Sequence, residues 1–212
     1  MIDPGAILGF AAASFAVAIS PGPSWVYVLG QTIRNGRLAG FVAILGNALG
    51  ILAHVIAAAL GVSVVLHQSE TLFTVLQWLG VLYMVYLAFK TLHEGTALEA
   101  TPTEVRSEPL VTVLREGFLV NALNPKVSLL MLALMPQFID PPRENVLLQQ
   151  LVLGSLHVGI ASAVLSIVAI YAETVAAQVR RSRRLTTCLR YVSAGLFLAL
   201  GASLAMLTSR AL

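Results

Sequence analysis

Two short segments of this 212-residue chain combine proline with polar side chains inside otherwise apolar runs: Ser20-Pro21-Gly22-Pro23-Ser24 and Asn121-Ala122-Leu123-Asn124-Pro125-Lys126. A proline in a helix interior removes one hydrogen bond and clashes with the carbonyl a turn earlier. Each run is therefore expected to break, leaving backbone donors and acceptors without helical partners. Lys126 follows Pro125 directly, which places it in the first turn of the resumed helix, where free N–H groups and the helix dipole already favour an anion. Capture of a carboxylate is the chemistry this suggests. The Pro21-Gly22-Pro23 segment would add backbone donors at Ser24 and Trp25, and Asn121 and Asn124 would add side-chain amides. The plainer alternative has the prolines only kinking packed helices and Lys126 snorkelling to an interface.

A second group is Gly46, Gly50, His54 and Ala58, spaced by four. On a helix these share one face, a small-residue stripe that lets another helix approach closely. An imidazole on that stripe titrates near neutral pH, so His54 is a proton-coupling candidate, with His157 as a second. The competing reading of each is a neutral ring bonded to a backbone carbonyl for packing. Metal binding is not expected: the four histidines are scattered, Cys188 stands alone, and no Asp or Glu falls in the interior of a predicted span. Walker A, Gly-x-Ser-x-Gly and His-Glu-x-x-His patterns are absent, so no cofactor and no enzymatic activity are expected.

The elements that must position these residues are membrane helices. Of all residues 58% are hydrophobic and 11% charged, with mean hydropathy +0.86, far from the balance of a soluble domain. Apolar runs bounded by charge predict six spans, near 5–32, 39–64, 71–91, 111–137, 147–172 and 188–208. The fold class is thus all-α and integral to the membrane, one domain over 1–212, with three helices in 1–92, a polar cytoplasmic linker at 93–109 and three helices in 110–212. The N-terminus lacks the basic segment of a cleaved signal. Ten of the thirteen Lys and Arg residues fall in or beside alternate loops, so those loops are expected in the cytoplasm and both termini in the periplasm. The run Arg180-Arg181-Ser182-Arg183-Arg184 reads as a lipid-facing membrane flank rather than a nucleic-acid site. A shift of 103 residues carries Phe15 onto Phe118, Pro21-Gly22-Pro23 onto Asn124-Pro125-Lys126, and His54 onto His157. With three spans per half the repeats are inverted, and helices 1 and 4 are the interrupted pair, an arrangement described for secondary transporters.

Taken in order, Ser20-Pro21-Gly22-Pro23, the Gly46-Gly50-His54-Ala58 stripe running into Ala59-Leu60-Gly61, Gly80-Val81-Leu82-Tyr83, Asn121 to Lys126, and Pro136-Gln137-Phe138 resemble the LysE family of bacterial amino-acid exporters, and within it the homoserine and threonine efflux branch. The resemblance implies an inner-membrane exporter of amino acids or close derivatives that works without ATP, by proton antiport. Lysine-exporting members carry Gly-Pro-Gln at the first break and no Lys after the second proline, whereas this chain has Pro21-Gly22-Pro23 and Lys126. With no intramembrane acid to balance a cationic side chain, small neutral substrates are expected. The rivals are a passive channel or facilitator, an exporter of another small solute, and an assembly protein that uses its stripes to bind helices. The Gly46/Gly50 stripe could pack within one chain or between two copies of a homo-oligomer.

Overall fold

The computed structural model describes residues 2–68, 70–94, 108–140 and 145–210, all of the regular structure helical and with no strand among them. Helix α1 spans Pro4–Ile19 and is started by Asp3, whose carboxylate accepts from the Ala6 N–H at 3.0 Å; proline at its first position has no N–H to leave unsatisfied there. The chain then leaves helical geometry at Ser20 and resumes as α2, Pro23–Gln68. The first proline break therefore falls where the sequence predicts it.

Helix α2 is two arms. Gly36 has φ 83° and ψ 173°, a conformation open in practice only to glycine. The consequence is a reversal of direction. Thr32 and Gly40 would be about 12 Å apart along a straight helix at 1.5 Å per residue, yet a Cβ built on Gly40 would overlap the Thr32 side chain. Helix α3 follows over Glu70–Glu94.

The second break is equally defined. Helix α4, Leu110–Ala122, stops before Leu123, and α5, Pro125–Leu129, begins after it. Asn124 caps α5 by accepting the Lys126 N–H at 3.1 Å. The helix continues through a π-helical turn, Leu130–Leu134, into a 3-10 turn, Met135–Phe138. Helices α6 (Val146–Ile170), α7 (Ala172–Arg181) and α8 (Arg183–Arg210) complete the chain. The expected linker at 93–109 falls mostly outside the described residues.

Among the described residues three stretches are long and apolar enough to cross a bilayer, Pro23–Leu60, Val146–Ile170 and Thr187–Met206, and the pair Leu110–Ala122 and Lys126–Phe138, bent by 51°, makes a fourth if it forms one span. The distribution of polarity is that of a protein solvated by lipid. Leu8, Val111 and Leu123 are more than 70% exposed, while Asn47, Asn121, Gln150 and His157 are buried. A soluble core would reverse that pattern.

The packing of α2 on α4 is set by small residues. A Cβ on Gly50 would lie 2.7 Å from the Phe118 carbonyl oxygen and 2.8 Å from Asn121 Cβ, and one on Gly117 would lie 2.6 Å from the Ala43 carbonyl oxygen. The Gly46/Gly50 stripe is thus used within the chain, against α4. Helices α3 and α8 pair separately through Met84, Ala88, Ala194 and Phe197. Gly50→Val is expected to lower the thermal stability of the detergent-purified protein by about 1–3 kcal/mol, because the neighbouring atoms are backbone and a Cβ fixed to it, which cannot swing aside. Gly159→Ala, with nothing within 4 Å of the added carbon, should be neutral or stabilising by up to about 1 kcal/mol. Equal losses for the two would show that α2 and α4 do not approach as described. Asn124→Ala removes the cap of α5 and is expected to cost about 1 kcal/mol in the same melt.

Candidate functional site

The two breaks meet inside the protein, and Lys126 joins them. Its side chain is buried and its ammonium donates to the carbonyl oxygens of Val17 and Ser20, each at 2.8 Å. Those carbonyls lie at the C-terminal end of α1, where the helix leaves acceptors unpaired and the dipole is negative. Both partners are neutral. Burial of an ammonium costs several kcal/mol, and two charge-assisted hydrogen bonds of about 1.5–3 kcal/mol each offset much of it. The Lys126 ammonium therefore faces the carbonyl end of the first break, rather than the backbone donors at the start of the resumed helix.

Around this bond lies a small polar cavity of about 30 Å³, room for a water or two. Ser24, Asn47, Asn121, Asn124, Lys126 and His157 are among its lining residues, and none of the described lining residues is acidic. Asn121 Nδ2 donates to Asn47 Oδ1 at 2.9 Å and approaches Ser24 Oγ at 3.4 Å, while Asn124 Nδ2 reaches the same hydroxyl at 3.5 Å. Trp25 Nε1 donates to the Ala18 carbonyl at 2.8 Å, tying α2 back to α1 across the break. Three buried polar atoms of the residues lining it stay unpartnered: Asn47 Nδ2, Asn121 Oδ1 and His157 Nδ1. Unsatisfied donors and acceptors converging on one cavity are costly in a membrane interior. They are the arrangement expected of a polar ligand's position.

The structure brings together most of the residues singled out in the sequence. Ser24, Asn121, Asn124 and Lys126 line one cavity, and a Cβ on Gly22 would sit 3.4 Å from Lys126 Nζ. Pro21 and Pro23 shape the first break, and Pro125 opens α5. The two histidines separate. His54 Nε2 lies 3.0 Å from the Asn121 carbonyl oxygen, a contact that orients α2 on α4, and His54 is not among the residues lining the cavity. His157 lines it. Asn47 was not singled out, although the 103-residue shift that pairs His54 with His157 also carries it onto Gln150, an equally buried amide. A polar residue recurring at equivalent places of two apolar spans was the available signal.

The family described as LysE type translocator matches residues 15–208. Among similar proteins, an uncharacterised membrane protein of Bacillus subtilis is 31% identical over 158 residues, covering 71% of this chain and 75% of its own. The homoserine/homoserine lactone efflux protein of Salmonella typhimurium is 26% identical over 192 residues, 91% of this chain and 92% of its own. The leucine efflux protein of an Enterobacter species is 28% identical over 132 residues, 62% of this chain and 63% of its own. No solved structure matches. With the family pattern running through both helix breaks and on to residue 208, the chain belongs to the LysE-type translocators.

Proposed function

We propose that this protein exports small neutral amino acids, or close derivatives, from the cytoplasm across the bacterial inner membrane in exchange for protons. The observation that carries the reading is the buried Lys126 ammonium, held by carbonyls at the end of a broken helix. A zwitterion matches both halves of that contact. Its ammonium would take over the Val17 and Ser20 carbonyls, and its carboxylate would receive Lys126, the first-turn N–H groups of Ser24 and Trp25, and the Asn121 and Asn124 amides. The relatives named for homoserine and leucine efflux support the substrate class.

The same reading takes six spans. α1 and the first arm of α2 form a broken first span, and α4 with α5 and its continuation form a broken fourth. The two halves, 1–92 and 110–212, are then inverted repeats, both termini face the periplasm, and transport proceeds by alternating access around the breaks. The cavity of about 30 Å³ is too small for an amino acid, as in a closed state between the two openings. His157, whose free ring nitrogen is buried in the cavity wall, is the better placed proton-coupling candidate, and His54 the alternative.

The test is efflux of labelled homoserine and leucine, with acidic and basic amino acids for contrast, from vesicles holding the purified protein. Wild-type protein should build a concentration gradient of a neutral substrate only under an imposed pH gradient. Equilibration that ignores the pH gradient would instead indicate a facilitator. Lys126→Met, similar in length but without charge, should cut export by about ten- to a hundredfold, the loss expected from removing a charged hydrogen-bond partner worth about 1.5–3 kcal/mol, while the protein still inserts in the membrane. Undiminished export by that variant would remove Lys126 from the site.

A further inference from the structure

A second cavity lies on the other side of the first break. It is a cleft of about 550 Å³, within the range of small-molecule sites, and residues next to each other in sequence divide the two cavities. Ser24 and Asn121 line the inner cavity, while Pro23 and Val120 line the cleft. One turn of α2 and one of α4 thus form the wall between them.

The cleft carries groups of both signs. Arg34, Glu108 and Glu116 line it together with Tyr27 and Gln31. The Tyr27 hydroxyl lies 2.9 Å from the Val113 carbonyl and 3.1 Å from Glu116 Oε2. A phenol has one proton to donate, so one of those two acceptors goes without it. Gln31 Nε2 donates to Glu108 Oε2 at 3.0 Å, and Asn35 Nδ2 in turn donates to Gln31 Oε1 at 2.7 Å, so the Glu108 carboxylate is held in place from α2. Opposite charge is available too, since Arg34 Nε is buried without a hydrogen-bond partner. A cleft of this size that presents two carboxylates and a guanidinium whose Nε has no acceptor is complementary to one molecule that carries both an ammonium and a carboxylate.

We infer that this cleft is a second binding station for an amino-acid zwitterion, with Glu108 and Glu116 receiving its ammonium and Arg34 its carboxylate. It rests on the exporter reading and adds a site to it. Arg34, Arg37 and Arg115 all sit at this end of the helices, and the bias of basic residues places that end in the cytoplasm. The station therefore loads substrate before it passes the Pro23–Tyr27 wall. The inner site presents the same pairing of a cation with oxygen acceptors, Lys126 with the Val17 and Ser20 carbonyls, so a zwitterion meets similar chemistry twice along one path.

The experiment measures uptake of homoserine and leucine into vesicles whose cytoplasmic face is outward, and equilibrium binding of the same two amino acids to detergent-purified protein. Glu116→Gln keeps an acceptor for Tyr27 and Arg34→Gln removes a charge from a half-exposed side chain, so neither is expected to unfold the protein. Each should raise the half-saturating concentration on the cytoplasmic face about tenfold, with a much smaller change in maximal rate. Arg37→Gln, an exposed neighbour outside the cleft, should leave both unchanged. Lys126→Met should retain weak binding that disappears in Lys126→Met/Arg34→Gln. Unchanged half-saturation in both cleft variants, or an equal rise in Arg37→Gln, would overturn the station while wild-type export left the exporter reading intact. Wild-type protein that neither binds nor moves the two amino acids would overturn both.

Discussion

The contact between the Lys126 ammonium and the carbonyls of Val17 and Ser20 is the constraint around which the rest of the structure is arranged. A helix that ends inside a membrane protein leaves carbonyls with neither water nor helix to satisfy them. A lysine in the same place has a charge that hydrocarbon will not solvate. Each fault answers the other. The two broken segments are therefore held to one another.

Holding that contact in place demands close helix packing. Asn121 can reach Asn47 at 2.9 Å only because Gly46, Gly50 and Gly117 bring α2 and α4 together until a methyl group would collide with backbone. In a membrane, where burial of apolar surface gives little drive to associate helices, such close approach and interhelical amide contacts carry the specificity. His54 belongs to this layer through its contact with the Asn121 carbonyl. His157, on α6, faces the cavity instead. Two residues that look equivalent in sequence thus have different surroundings.

The same local economy operates at the first reversal. Gly36 turns α2 back on itself with a backbone geometry open to glycine, and Gly40 then leaves room for Thr32. This fold-back places Tyr27, Gln31 and Arg34 beside Glu116 on α4, which creates the cleft next to the inner cavity. A single turn of helix separates them.

Much of this was legible in the sequence because it rests on local chemistry. Proline in a helix interior removes a hydrogen bond and kinks or breaks the helix, so the interruptions at Pro21 to Pro23 and at Pro125 could be expected from residue type, and glycines spaced by four declared a packing face before its partner was known. The long apolar runs declared a protein that places lipid outside and amides within. Tertiary structure decided what no spacing encodes: that Lys126 reaches carbonyls 106 and 109 residues away, that the glycine face packs on α4, and that Glu108 and Glu116 line a cleft with Arg34. The physical reason is that breaks and periodicities are properties of a few consecutive residues, whereas the partner of a buried charge is fixed only when distant helices are brought to within hydrogen-bond reach.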